Sequence, residues 1–333
     1  MLFKIKLFLS VITMYNKKLK ILLLALVSLT ACQINNDTSS QQGIADTKND
    51  IRSLAAKNFL FDNTKAETAG NADWVIDEDN GLAKRLPTPQ QESINASTPE
   101  TYWTGALSSW GIALVKLKQH VETLEENGHI TYGDLKNAQD LSHYNVFIVD
   151  EPNIRFTDDE KIAIINFVEN GGGLFMIADH DHSDRNNDGW DSPAIWNDLM
   201  SDNPIQRDPF GFFIYKTNIS QASSNVTTST NAITKGSAGE VSSLQFNNGA
   251  TITLTSTAAK GLFWMNDYPQ NKMRVMAAHS TYGKGGVVVI GDSSPADDGT
   301  GAKGNKLHDG WNASGNNHSN FFINASLWLA KLQ

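Results

Sequence analysis

The chain has 333 residues, of which 40% are hydrophobic and 19% are charged, and its formal net charge is −9. That length and apolar content suffice for one large globular domain. The acidic balance argues against nucleic acid as a partner, because binding phosphates requires a basic surface. Cys32 is the only cysteine, so no disulfide can form within the chain.

The N-terminus has the three parts of an export signal. A basic stretch at residues 17–20 precedes nine mostly apolar residues, 21–29, which are too few to span a bilayer as a helix. An ordinary secretory signal is one interpretation of this segment. The tetrad Leu29-Thr30-Ala31-Cys32, however, resembles the lipobox of bacterial lipoproteins, in which the cysteine is lipidated and becomes the first residue. We therefore predict a signal peptide over 1–31 and lipidation at Cys32.

The resemblance to lipoproteins also implies a location. Gln33 follows the cysteine, which in that class implies sorting to the outer membrane, so outer-membrane lipid would be a partner of the acylated chain. Cleavage before Cys32 would remove five lysines and no acidic residue, which lowers the net charge to −14. Residues 32–54 are rich in Asn, Gln, Ser, Thr and Asp, a composition that predicts a flexible tether. Residues 55–333 contain no second linker and form the predicted domain.

Apolar segments of the domain alternate between strand and helix patterns. Continuous apolar runs predict buried strands at residues 59–61, 146–149, 174–177 and 287–290. A capping box at Thr157-Asp158-Asp159-Glu160 begins a helix that ends at Asn170-Gly171, and another helix covers 321–332. Helical spacing also predicts a helix through Leu107, Trp110, Leu114, Leu117, Val121 and Leu124.

Buried strands that alternate with helices indicate an α/β fold. We predict a flavodoxin-like, doubly wound and mostly parallel sheet with helices on both faces. Residues 201–256 differ, because they are rich in Thr, Ser and Asn and show short alternating runs. This pattern predicts a β-rich insertion that is added to the sheet.

An aspartate follows each of the four predicted strands within two residues: Asp62, Asp150, Asp179 and Asp292. In a parallel sheet the carboxyl ends of the strands share one edge, where open α/β sheets bind their ligands. So many carboxylates would repel one another unless they are protonated or neutralised by a cation. We therefore expect a functional site at this edge. For each aspartate taken singly, capping of the next helix or turn is the alternative.

The segment 179–191 is the densest in acidic and imidazole side chains. Within it, Asp184-x-Asn186-x-Asp188-Gly189 matches the first half of a calcium loop, with oxygen ligands at alternate positions and a glycine at the turn. The twelfth position is Ile195 instead of a glutamate. We predict a divalent cation, calcium by preference, with the ligands Asp179, Asp184, Asn186, Asp188 and Asp191. An Asx-rich turn is the alternative, and His180 with His182 could ligate a transition metal instead.

Two further polar clusters flank the predicted strands. Ser293 or Ser294 in the loop 291–301 could be a nucleophile with a histidine as base, although no nucleophile-elbow motif surrounds them. Near the first strand, Trp74 follows Asp73, and aromatic rings beside carboxylates are common in sugar sites; pinning of a loop to the core is the alternative. The predicted ligand-binding residues are Asp62, Asp73, Trp74, Asp150, Glu151, Ser293, Asp297 and Asp298.

Three motifs resemble the class I glutamine amidotransferase-like superfamily, and within it the trehalose-utilisation (ThuA-like) branch. They are Thr157-x-x-Glu160, the run from Gly171 to His180, and the run from Tyr282 to Val289. The resemblance covers residues 55–333 and implies the same α/β domain. True amidotransferases carry a nucleophilic cysteine on the turn that here holds Asp179 and His180. The chain has no cysteine there, which excludes glutamine hydrolysis by a thiolate. ThuA-like proteins often carry a histidine close to the position of His180.

Two functions from different classes stay open. The first is an extracytoplasmic hydrolase in which a divalent cation polarises a carbohydrate-type substrate or activates water. Its catalytic candidates are His180, His182, Asp292 and His318, since histidine titrates near neutral pH. The second is a non-catalytic envelope module that binds a glycan or another ligand, with calcium only ordering a loop. A structural calcium loop needs no additional histidines, which favours the enzyme.

Overall fold

The computed structural model describes residues 55–76, 78–79, 82–83, 91–302, 304–305 and 307–333. The predicted signal peptide, Cys32 and the tether lie outside the described residues. Within the described ranges, no helix combines the length and the apolar character that a membrane span requires.

Fourteen strands and four α-helices make up the described domain. In chain order the strands are β1 (Asn58–Asp62), β2 (Glu78–Asp79), β3 (Leu82–Ala83), β4 (His120–Leu124), β5 (Val146–Asp150), β6 (Gly173–Ile177), β7 (Phe212–Ser223), β8 (Asn225–Val226), β9 (Lys235–Gly236), β10 (Gly239–Glu240), β11 (Leu244–Leu254), β12 (Lys260–Trp264), β13 (Val275–Tyr282) and β14 (Gly285–Ile290). The helices are α1 (Ser108–Lys116), α2 (Asp158–Glu169), α3 (Ser192–Ser201) and α4 (His318–Leu329).

Ten of the strands form one mixed sheet, with the order β4-β1-β5-β6-β14-β13-β11-β7 and with β12 and β8 attached beside β13. The first five strands in this order, β4, β1, β5, β6 and β14, pair in parallel. Numbered by their succession in the chain, they lie in the order 2-1-3-4-5, which is the flavodoxin-like arrangement. The predicted α/β fold class is therefore confirmed.

The β-rich insertion is also confirmed. Strands β7 and β11 pair antiparallel along most of their length at the far edge of the same sheet. Strand β11 also pairs with β13, which joins the insertion to the parallel part through β14. The insertion thus brings residues of β11 close to the carboxyl end of β14.

The predicted helix through Leu107 and Leu124 is wrong in its second half. Helix α1 ends at Lys116, and Lys118 has a φ of 65°, a left-handed conformation that a continuing helix cannot contain. Val121 and Leu124 lie instead in β4, where Val121 pairs with Phe59 of β1. Pairing with the buried strand β1 makes this segment a strand, although its apolar spacing fits a helix. No local signal in the sequence marks the change from helix to strand.

Alternating residues of the parallel strands face two apolar layers. Phe59 and Phe61 of β1 belong to the layer under α1 and α4, whereas Leu60 belongs to the layer under α2 and α3. Trp110 of α1 lies at the centre of the first layer, 5.2 Å from the ring of Phe61 and 4.9 Å from that of Phe322. Both faces of the sheet are therefore covered, as the continuous apolar runs predicted.

The capping box of α2 forms as predicted. The hydroxyl of Thr157 accepts the N–H of Glu160 at 3.3 Å, and the carboxylate of Glu160 accepts the N–H of Thr157 at 2.8 Å. The helix ends at Asn170, followed by Gly171 with a φ of 118°. These local bonds satisfy N–H groups that have no partner inside the helix.

Replacement of Thr157 by Ala should lower the free energy of unfolding by about 1 kcal/mol, because the hydroxyl of the N-cap is lost. Urea denaturation measures this difference. Thr230→Ala is the matched control, since Thr230 is exposed and lies outside the helices. Equal losses in the two variants would show that the cap contributes nothing to stability.

Candidate active site

The four aspartates at the strand ends lie together at the carboxyl edge of the parallel strands. Asp62 ends β1, Asp150 ends β5, and Asp179 and Asp292 each lie two residues after the last residue of β6 and β14. Each of the four is at most 2% exposed. Carboxyl groups so completely removed from water require a counter-charge or a proton.

Arg185 supplies the counter-charge. Its Nε lies 2.5 Å from one carboxylate oxygen of Glu151, and its Nη2 lies 3.1 Å from the other and 3.0 Å from Asp179 Oδ2. Nη1 donates to Asn71 at 2.9 Å. One guanidinium therefore joins the loops that follow β1, β5 and β6. The surrounding carboxylates raise the pKa of Arg185, so it stays charged.

Arg185 was not predicted as a functional residue. It occupies a variable position of the calcium-like pattern, which specifies oxygen ligands only at the alternate positions Asp184, Asn186 and Asp188. The available signal was that Arg185 is the only basic residue other than histidine between 179 and 191. A single cation in a segment so rich in acids is expected to form an ion pair.

Glu151 is held in an unusual backbone conformation. Its φ is 45°, and its side chain is fully buried between Arg185 and the hydroxyl of Ser293, which donates to Oε2 at 3.1 Å. A non-glycine residue with positive φ is uncommon and is maintained only when its surroundings fix it. The bidentate pair with Arg185 does this.

Of the four aspartates, Asp150 has the fewest hydrogen-bond partners among the described residues. Among the described residues, neither of its carboxylate oxygens has a hydrogen-bond partner. Burial raises the pKa of Asp150 well above its usual range, and the charges of Glu151, Asp292 and Asp297 raise it further. Asp150 therefore carries a proton under conditions where an exposed aspartate is ionised.

Burial likewise raises the pKa of Asp179 well above its usual range, with Glu151 and Asp292 adding to the effect and Arg185 opposing it. The pKa of Asp292 is raised to about 6 by burial, although the N–H groups of Ser294 and Asn247 donate to its carboxylate. The edge thus contains several carboxyl groups that titrate far above the ordinary range.

Asp62 belongs to a separate pair. Its Oδ1 accepts the N–H and the hydroxyl of Thr64, and burial raises its pKa to about 6. The neighbouring Glu67 is also fully buried, and burial together with the charge of Asp62 raises its pKa well above the usual range. Burial thus raises the pKa of both Asp62 and Glu67 above that of an exposed carboxyl group.

Three predicted binding residues bind the backbone of neighbouring segments. Asp298 Oδ2 accepts the N–H of Ser109 at 2.7 Å in the first turn of α1, so it caps that helix. Asp73 Oδ2 accepts the N–H of Ala302 at 3.1 Å. Asp297 accepts the N–H groups of Gly299 and His308, and burial raises its pKa to about 7. These aspartates shape the walls of the site.

A cleft of about 130 Å³ opens above the Arg185 cluster. It is lined by Asn71, Trp74, Asp179, His180, Arg185, Asn247, Asn248, Ser294 and His308. These residues come from the loops after β1, β6 and β14 and from β11. The parallel strand ends and the β-rich insertion thus form the two sides of one polar cleft.

His180 has a fixed ring orientation in this cleft. Its Nδ1 lies 2.7 Å from the carbonyl oxygen of Asp181, and its Nε2 lies 3.9 Å from Asp179 Oδ2. A carbonyl oxygen can only accept, so the hydrogen-bond network assigns the proton to Nδ1. In the neutral ring Nε2 then carries a lone pair beside the carboxyl group of Asp179.

The other predicted catalytic histidines lie elsewhere. The side chain of His182 is 86% exposed and contacts Asp181. His318 is buried, its Nδ1 donates to the carbonyl of Gly310 at 2.6 Å, and its Nε2 accepts the N–H of Gln245 at 2.8 Å. Burial lowers the pKa of His318. The structure therefore brings only His180 of the three into the cleft.

The calcium-like loop forms an Asx-rich turn. The carboxylate of Asp184 accepts the N–H groups of Asp188 and Gly189, and Asp188 accepts that of Trp190 and an N–H of Asn186. Asp191 caps α3 and pairs with Lys216 at 2.7 Å. The described ranges contain no group of three or more His, Cys, Asp or Glu side chains that could hold a metal ion. Calcium binding stays a prediction.

Neither serine is arranged as an activated nucleophile. Ser293 donates its hydroxyl to Glu151, and Ser294 donates its hydroxyl to the carbonyl of Asn247 at 3.2 Å. Within the described part of the chain, neither hydroxyl forms a hydrogen bond with an imidazole ring. Ser294 lines the cleft, whereas Ser293 supports Glu151 from below.

No protein-family model and no curated protein matches this chain. Solved structures do resemble it. The N-terminal domain of mmIFT52 is 13% identical, with a TM-score of 0.45 over 82% of this chain and 97% of that one. A cytoplasmic protein from Salmonella typhimurium is 10% identical, with a TM-score of 0.47 over 82% and 98%. A ThuA-like protein from Bacteroides uniformis is 13% identical, with a TM-score of 0.42 over 84% and 92%.

Replacement of Asp150 by Asn should raise the melting temperature at pH 8 and have little effect at pH 4. The raised pKa means that the folded state keeps a proton that the unfolded chain releases above its ordinary pKa near 3.8. The contribution of Asp150 to stability is therefore complete below that value and is lost as the pH rises through the folded pKa. The amide removes this loss at nearly constant shape.

Thermal unfolding between pH 4 and pH 8 tests the prediction, with the exposed Asp267→Asn as control. We expect the advantage of the Asp150 variant over the wild type to grow with pH, and the control to follow the wild type. A variant that is less stable than the wild type at pH 8 would show that the ionised carboxylate of Asp150 stabilises the fold.

Proposed function

We propose that this protein is an exported hydrolase that acts on a neutral, carbohydrate-type substrate in the cleft above Arg185. The composition of the cleft wall carries the proposal. Among the described residues of the wall, Arg185 is the one permanent cation, and it is bound to Glu151 and to Asp179, which also lines the cleft. The other described side chains of the wall are amides, imidazoles, a hydroxyl and the indole of Trp74. This described part of the wall offers many neutral donors and acceptors and no unpaired cation for an ionic ligand.

This chemistry matches a sugar. Each hydroxyl of a sugar can donate and accept a hydrogen bond, and the amides of Asn71, Asn247 and Asn248 can do the same. Trp74 lines the cleft from below: it is 4% exposed and packs into the apolar core, so it fixes this loop and offers little surface to a sugar ring.

Asp179 and His180 supply an acid and a base for hydrolysis. The raised pKa of Asp179 favours the protonated carboxyl group, and the lone pair of His180 Nε2 can accept a proton from water. Their 3.9 Å separation is too short to place an acid and a base on opposite faces of a sugar ring. It suits attack on the carbonyl carbon of an ester or amide substituent of the sugar.

The proposed reaction is therefore acyl hydrolysis. His180 Nε2 takes a proton from water, the water oxygen bonds to the carbonyl carbon, and the bond from that carbon to the leaving oxygen or nitrogen breaks as Asp179 donates its proton. The products are a carboxylic acid and the free hydroxyl or amine of the sugar. Arg185 positions Asp179 and offsets its charge once the proton has left.

Replacement of His180 by Gln should lower turnover at least about a hundredfold, which is the ordinary contribution of a general base. Release of acetate from O-acetylated xylo-oligosaccharides and from N-acetylglucosamine oligomers measures the activity of the full-length protein. The exposed His129→Gln is the matched control and should retain the wild-type rate. Equal rates for the wild type and the His180 variant would remove His180 from the mechanism.

A non-catalytic binding module is the second candidate function. It is favoured by the two serine hydroxyls, which are bound to Glu151 and to the carbonyl of Asn247 and are not paired with a base. Calorimetric binding of the same oligosaccharides without release of acetate would support the module and contradict the hydrolase.

We also propose that the protein is a ThuA-like member of the amidotransferase-like superfamily and that it is anchored to the outer membrane through Cys32. Replacement of Cys32 by Ser should abolish acyl labelling and move the protein out of the membrane fraction, because no acyl chain remains to insert into lipid. Metabolic labelling with a fatty acid followed by fractionation measures both effects. Unchanged labelling of the variant would contradict lipidation at this residue.

A further inference from the structure

A second cavity of about 320 Å³ adjoins the cleft. The two share three lining residues, Asn247, Ser294 and His308. Gln245, Asp309 and His318 belong to the second cavity alone. The cleft and the second cavity therefore adjoin along these three residues, and together they are called the groove.

The junction between the two cavities is firmly built. Asn247 Nδ2 lies 3.0 Å from the ring nitrogen Nδ1 of His308. The backbone N–H of Asn247 donates to the buried carboxylate of Asp292, and its carbonyl accepts the hydroxyl of Ser294. The backbone N–H of His308 donates to Asp297 at 2.7 Å. Both sides of the junction are therefore tied to carboxyl groups beneath the groove.

The second cavity is polar like the cleft and has one acidic side chain, Asp309, in its wall. No lysine or arginine lines it among the described residues. The ring of His318 is fixed by two backbone groups and forms a rigid part of the wall. Gln245 accepts a hydrogen bond from Asn316 at 3.1 Å, which holds its amide at the mouth of the cavity.

We infer that the groove binds an oligosaccharide, with the acyl-bearing sugar unit in the cleft and at least one further unit in the second cavity. The inference rests on the proposed carbohydrate-type substrate and adds its length. A single sugar ring does not fill the whole groove, and it does not contact both sides of the Asn247–His308 junction at once. A chain of linked rings contacts both cavities and exchanges hydrogen bonds with the junction amide.

Binding of N-acetylglucosamine and of its β-1,4-linked dimer, trimer and tetramer to the full-length wild-type protein tests the inference by calorimetry. We expect the affinity to rise about tenfold or more from one unit to three, since each added unit makes new hydrogen bonds and buries new surface. Gln245→Ala should remove most of this gain with length. Gln206→Ala, at an exposed glutamine outside the groove, should retain it.

The possible results separate the inference from the proposed function. Affinity for the single unit that does not rise with length would overturn the oligosaccharide inference and leave the carbohydrate site in place. Absence of binding by every oligomer would contradict the carbohydrate site itself, and the inference with it. A gain with length that persists in the Gln245 variant would place the added units outside the second cavity and overturn the assignment.

Discussion

The interaction between Arg185 and the buried carboxyl groups of Glu151 and Asp179 is the constraint on which the rest of the site depends. A carboxylate removed from water is strongly destabilised unless a partner compensates it. Arg185 does so with a bidentate pair to Glu151 and a further bond to Asp179. The same side chain connects three loops, so Arg185 both neutralises buried charge and holds the loops of the cleft together.

The fold explains why acids accumulate at this place. Parallel strands bring their carboxyl ends to a common edge, and the 2-1-3-4-5 order leaves a crevice where the chain turns in opposite directions from β1 and β5. A parallel sheet alone would leave this crevice open on one side. Strand β11 of the β-rich insertion closes this side with Asn247 and Asn248, which form the second wall of the groove.

The buried carboxyl groups oppose the stability of the fold. Asp150, Asp179 and Asp292 all have raised pKa values, which means that ionisation of each is less favourable in the folded protein than in the unfolded chain. Raised pKa values at a concave polar site are typical of catalytic groups. Groups that lower stability are often found at functional sites, and these carboxyl groups lie close to the cleft.

Structural features that depend only on neighbouring residues could be predicted from the sequence. Buried strands such as β5 appear as continuous apolar runs, and the capping box at Thr157 needs only four consecutive residues. The aspartates after the parallel strands could be placed at one edge of the sheet, because strand direction alone determines where they lie. The tertiary structure decided what depends on distant partners: Val121 joins a strand through pairing with Phe59, Asp298 caps α1 across the fold, and both ring nitrogens of His318 bind the backbone. Arg185 could not be assigned its role from sequence, because Glu151 lies 34 residues before it and only the packing of β5 against β6 brings the two together.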